Sequence, residues 1–177
     1  MKLPATSRRI VVDTNVARSA SESEHPISDA CRQVLEAMMA QQHRVVLSAT
    51  QYWEWQKHQS GYSKNWLARM MGKKLHVVLN PEPDSGLADK IHALDCTEKS
   101  RQEMLKDIHL LESALATDYA VLSQETNVLT LFTTHAEPMR IPRPVAWVNP
   151  AADAPACIAW LTVGATVIGV PVVPAGV

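Results

Sequence analysis

Five short aliphatic runs punctuate the chain, at 9–12, 44–48, 75–79, 119–123 and 145–148. Each is rich in β-branched residues and lacks the polar alternation of a half-exposed strand, so each reads as a strand buried on both faces. The segments between them, 27–41, 50–74, 86–116 and 125–133, read as helices. Strand and helix in alternation predict βαβ units: an α/β domain whose parallel sheet is covered on both sides. In open sheets of that kind, sites lie beyond the carboxyl ends of the strands.

Two of the runs end in acids. "RRIVVDTN" takes Ile10, Val11 and Val12 directly into Asp13, Thr14 and Asn15, and "YAVLSQET" takes the fourth run into Ser123 and Glu125. Aspartate is a poor strand former, and a carboxylate beside a dry core needs a cation or hydrogen-bond donors. Two further acids fall on helices. Ser48 and Gln51 fit a capping box, which starts a helix after the second run and places Glu54 about two turns in. In "TEKSRQEMLKDIHLLESALATD", Thr97 fits an N-cap and Met104, Ile108, Leu111 and Leu115 form an apolar stripe, with Leu110 and Ala114 beside it. Asp107 stands three residues from Met104 and four from Leu111, so it points toward that stripe.

Each acid has an ordinary structural role open to it. Asp13 can cap the first helix, Glu54 can be solvated, Asp107 can close a local helix contact, and Glu125 can sit at a helix start where the dipole favours it. Glu103, Glu112 and Asp118 read as surface. If Asp13, Glu54, Asp107 and Glu125 converge, like charges raise one another's pKa unless a cation intervenes. An all-oxygen set suits Mg²⁺ or Mn²⁺, and such an ion suits phosphodiester hydrolysis.

These motifs resemble the PIN domain family, and within it the VapC-type ribonuclease toxins. Asp13-Thr14-Asn15 matches the family's first acid after a hydrophobic strand. Glu54 matches its helical Glu after the second strand, and "DIHLLESALA" matches the segment opened by its third acid, Asp107. "VLSQET" places Glu125 where the family usually has Asp, and "AWVNP" is similar to its closing strand. The resemblance covers roughly residues 8–150. It implies a three-layer α/β/α fold with a parallel sheet of about five strands. It also implies Mg²⁺- or Mn²⁺-dependent endoribonuclease activity leaving 3′-hydroxyl and 5′-phosphate ends. Asp13, Glu54, Asp107 and Glu125 would be the catalytic, metal-holding set. Thr14 and Ser123 would support it, and Asn15 would fix the turn. The further implications are the toxin role of a type II toxin–antitoxin pair, an antitoxin protein as partner and a homodimer.

Composition narrows the classes. Hydrophobic residues make up 46% and charged residues 20% of 177 residues, with a net charge of −1, so no global basic bias points to nucleic acid. Local charge is uneven. Between Trp55 and Pro81 there is no acid, but Lys57, Lys64, Arg69, Lys73 and Lys74 are present, with Trp53, Trp55, Tyr62 and Trp66 interleaved. Cations track phosphates and aromatic faces stack bases, so this segment is the candidate RNA path. For Trp53 and Trp66 the core is the first expectation. His58, four residues after Glu54, is a lesser phosphate contact. From Glu82 to Glu137 there are eleven acids against four Lys or Arg, a balance that suits a basic antitoxin segment.

Cys31, Cys96 and Cys157 form no C-x-x-C pair, and an odd count argues for free thiols in a reducing cytoplasm. "MKLPATSRRIVV" has no long apolar run of the signal-peptide kind. After Asp153 no charge occurs up to Val177. Gly164, Gly169 and Pro171 interrupt this tail and no basic anchors flank it, which argues against a membrane span. The expectation is a domain at 1–150 and an apolar extension at 151–177. The extension has a short helix around 158–161, stops near Gly164, and packs on the domain or on a partner subunit. Two other classes compete with the nuclease: a PIN-like module that binds RNA or protein but cuts poorly, and a phosphatase or phosphoacceptor domain built on Asp13. The latter would want a second Asp where Asn15 stands.

Overall fold

A computed structural model describes residues 3–176. Its centre is a six-stranded sheet in the order β3-β2-β1-β4-β5-β6. The strands are β1 (Arg9–Val12), β2 (Arg44–Leu47), β3 (His76–Val78), β4 (Ala120–Leu122), β5 (Val145–Val148) and β6 (Val172–Val173). The first five are parallel, and β6 runs antiparallel along β5. Because side chains alternate across a strand, each strand feeds two cores. Ile10, Val12, Val45, Leu47, Leu122 and Val148 face one side. There they meet α1 (Thr14–Ser19), α2 (Pro26–Ala40), α3 (Ala49–His58), α4 (Gly61–Gly72) and α9 (Ala154–Thr162). Val11, Val46, Val121, Val145 and Trp147 face the other, against α5 (Leu87–His92), α6 (Glu98–Leu115), α7 (Thr126–Thr134) and α8 (Ala136–Met139). This is an α/β fold consistent with three layers, α/β/α.

Two long predicted helices are each broken. The segment 50–74 divides at Gln59, which is extended (φ −62°, ψ 150°), and Ser60 caps α4 by accepting from the Ser63 N–H. The segment 86–116 divides between α5 and α6, where Thr97 caps α6 as its sequence suggests. The capping box at Ser48 is half formed. Ser48 Oγ accepts from the Gln51 N–H at 3.2 Å, but the Gln51 side chain donates to the Val12 carbonyl.

The segment after residue 150 is built into the domain. It forms α9, longer than the 158–161 turn expected, ends at Gly164 with φ +102°, and returns as β6. Trp160 and Leu161 of α9 join the same core as α2. His43 ties this region together: its Nδ1 accepts from the Arg8 N–H at 3.0 Å, so its Nε2 donates to the Leu161 carbonyl at 2.8 Å. Burial holds His43 below the ordinary histidine pKa, in keeping with a neutral ring. Among the described residues no helix is long and apolar enough to cross a membrane.

Candidate functional site

Asp13 is the N-cap of α1, where its Oδ1 accepts from the Asn15 N–H at 3.3 Å. Its other oxygen takes the Ser123 hydroxyl at 2.6 Å, and Ser123 Oγ itself accepts from the Glu125 N–H at 3.0 Å. One serine thus ties the end of β1 to the turn after β4. Asn15 adds a second tie, its Oδ1 accepting from the Gln124 N–H at 3.2 Å. The cap and the functional acid are therefore compatible roles for the same carboxylate.

Trp55 anchors α3 over the end of β1. Its indole N–H donates to the Val12 carbonyl at 3.0 Å, and its ring packs 6.0 Å from that of Trp66. Glu54, one residue earlier, is aimed at the cleft by that anchor. Glu54 Oε2 receives the Thr14 hydroxyl at 3.3 Å and lies 3.6 Å from His109 Nε2. Asp107 and His109 come from α6, whose apolar stripe buries them; each is at most 9% exposed. His109 Nδ1 faces the Lys106 carbonyl at 3.2 Å, which orients the ring toward Glu54.

A cleft of about 520 Å³ gathers Asp13, Glu54, Asp107 and Glu125 with Thr14, Asn15, Arg18, Trp53, His58 and Lys106. It lies beyond the carboxyl ends of β1 and β4, where an open parallel sheet places its sites. Electrostatics divides the acids. Burial pushes Asp13 above the usual carboxylate range, against the hydrogen bonds from Ser123 and Asn15, and the Glu125 charge adds to the rise. Burial, then the Asp13 charge, raises Asp107 to about 6, with Glu125 contributing. Glu54 moves the other way, held low by His109. Burial alone would lower His109, but Glu54, Asp107 and Asp13 outweigh it and the ring is raised.

Among the described residues, no three His, Cys, Asp or Glu side chains are gathered closely enough to hold a metal ion as they stand. The donor chemistry nonetheless fits a hard divalent cation: Asp13, Asp107 and Glu125 are oxygen donors, the Glu125 charge raises both aspartates and the Asp13 charge raises Asp107, a strain that a cation relieves. Glu54 has one oxygen accepting from Thr14, with His109 Nε2 3.6 Å away and outside hydrogen-bond distance. Comparison of the chain with family models, with curated proteins and with solved structures gave no match.

The basic segment disperses. Lys57 does not line the cleft, but its Nζ lies 5.0 Å from the centroid of the Trp53 ring, which does. Arg69 pairs with Glu36 of α2. Lys73 lines a separate surface pocket with Glu36 and Met39, and Lys64 and Lys74 are exposed without lining the cleft. Trp66 is core as expected, with its N–H on the Leu35 carbonyl at 2.8 Å, and so is Trp55. Trp53 reverses its expectation: it is 62% exposed. Arg18, Lys106 and His109 were not singled out by sequence reasoning. The signal for His109 was available, since it follows Asp107 by two residues on the helix that carries the third acid. Asp118, read as surface, instead binds Arg9 through both carboxylate oxygens, at 2.7 and 3.1 Å, and accepts the Arg9 N–H at 2.7 Å.

Proposed function

We propose that the protein is a cytoplasmic, Mg²⁺- or Mn²⁺-dependent endoribonuclease of PIN-like type, acting as the toxin of a toxin–antitoxin pair. The observation that supports the catalytic reading best is the cleft itself. Four acids from four separate elements line it, and Asp13 and Asp107 are raised by burial and by neighbouring acids, with no Lys or Arg ion pair to either among the described residues. Perturbed carboxylates converging in a cleft are the usual mark of a chemical site.

Asp13, Asp107 and Glu125 would hold the ion. When bound, it supplies neutralisation of the acids and of the phosphate, and a more acidic water. The chain's own residues do the positioning. Ser123 and the Asn15 N–H fix the Asp13 carboxylate, so it need not reorganise when substrate arrives. His109 holds Glu54 below the ordinary carboxylate range, and Arg18 and Lys106 set positive charge at the cleft for backbone phosphates. The antitoxin and homodimer belong to this reading through the family resemblance alone.

A second reading is a PIN-like binding module that cuts poorly. Its support is the engagement of Glu54 by Thr14 and His109, which takes one oxygen of the fourth acid away from an ion. Incubation with a mixed RNA pool in Mn²⁺, in Mg²⁺ and in EDTA, beside Asp13→Asn, separates the two. The nuclease reading expects cleavage that needs the ion and disappears in the variant. Intact RNA after incubation with folded, partner-free wild type would move the binding module ahead.

A further inference from the structure

The geometry points to Trp53 as a base-stacking platform at the rim of the acidic cleft, an inference that rests on the ribonuclease reading and deepens it. Trp53 precedes Glu54 on α3 and lines the same cleft. It is 62% exposed, whereas Trp55, Trp66, Trp147 and Trp160 are each 5% exposed or less. Leaving so much indole in water forgoes burial that a tryptophan otherwise gains, and the neighbouring Trp55 on the same helix takes that burial in full. One tryptophan therefore anchors α3, and the next is left for something else.

The surroundings select a nucleic-acid base as the occupant. Lys57, one turn on, holds its ammonium 5.0 Å from the ring centroid. Arg18, His58 and Lys106 line the same cleft. The Lys57 ammonium covers one face of the ring, and an unpaired base would stack on the other while the cations meet its phosphates. A base in a duplex is already stacked on its neighbours and cannot be offered to the indole without unstacking. The platform thus discriminates for an unpaired nucleotide beside the acids.

Because the other four tryptophans are buried, a change in emission on adding a ligand that leaves the fold intact reports Trp53. A short single-stranded oligoribonucleotide, titrated into the full chain with Ca²⁺ in place of Mg²⁺ or Mn²⁺, is expected to quench this emission. The same sequence as a duplex should quench it far less. Trp53→Ala is expected to weaken single-strand binding about tenfold, the range of one stacked base. Trp53→Phe keeps a ring, should hold affinity to within about threefold, and should lose the quench. Single-strand affinity unchanged in Trp53→Ala, or a quench that persists in Trp53→Phe, would overturn the platform while leaving the nuclease reading intact. Absence of any RNA binding by folded wild type would sink both.

Discussion

At the N-terminal end of β1, Asp118 meets the Arg9 guanidinium through both oxygens and takes the Arg9 N–H as well. At the C-terminal end of the same strand, Asp13 meets a hydroxyl and a backbone N–H, and the Glu125 charge repels it. The first carboxylate is held below its ordinary range by Arg9 despite partial burial, the second above it by burial. The two ends of one strand thus meet different acids: Asp118, finished as a structural tie to Arg9, and Asp13, which has no ion pair of its own and only the more distant charge of His109. An acid of the second kind stores a preference for a cation, and that preference is what a functional site needs.

The sharpest way to break this comparison is by activity. Asp13→Asn should lower metal-dependent RNA cleavage by about a hundredfold or more, the scale of losing one preorganised electrostatic group. Asp118→Asn should leave turnover within about threefold, since it sits at the far end of β1. Equal losses in single-turnover assays would mean that the two ends are not functionally distinct.

Stability should move in the opposite sense at the two ends. For Asp107, the folded pKa of about 6 lies above the ordinary 3.8, so the folded state keeps a proton that the unfolded chain releases. Its contribution therefore falls as pH rises from about 4 to about 6 and stays low above that. Asp107→Asn should stabilise the metal-free protein at pH 8 by up to about 3 kcal/mol, with little gain at pH 4, as read by urea unfolding. Asp118 has a lowered pKa, so its contribution is present above the ordinary carboxylate range and is lost as pH falls through it. Asp118→Ala should cost about 1–2 kcal/mol at pH 7, and less in acid. A variant at either site with a flat pH difference would remove the electrostatic contrast.

The smallest effect concerns the lysines. Lys73→Ala with Lys74→Ala should change RNA affinity by about twofold or less, because neither lines the cleft. Lys106→Ala should reduce the salt slope of binding by about 0.7, the share of one single-strand phosphate contact. A larger slope change for the Lys73/Lys74 pair would place RNA along α4 instead.

Much of the sheet was readable because its strands are buried on both faces, so plain aliphatic runs marked them. Asp107 was readable for a related reason: a helical stripe flanks it, and an acid in a stripe is buried. The break at Gln59 was not legible, although Ser60 is a cap residue; before α6 the N-cap at Thr97 was legible, but 86–116 still read as one helical segment. β6 escaped because two residues after Pro171 carry no period; its pairing to β5 is purely tertiary. Within the site, positions that depend on one element's own pattern were found, and those that depend on two elements meeting were not. Glu54 was placed by its helix, but its pairing with His109 needs α3 and α6 docked. Likewise, nothing local distinguishes Trp53 from Trp55: roughly opposite faces of one helix became surface and core only when that helix met β1.

The Asp13–Ser123 bond joins residues 110 apart in the chain. On a ribosome adding about 5–20 residues per second, roughly 5–20 s separate the appearance of its two partners. β1 is a central strand, yet its second neighbour, β4, is among the later parts made. The acidic cleft has no existence in a half-made chain, whatever its first fifty residues do. On the ribonuclease proposal, the substrate is thus out of the cleft's reach for most of synthesis.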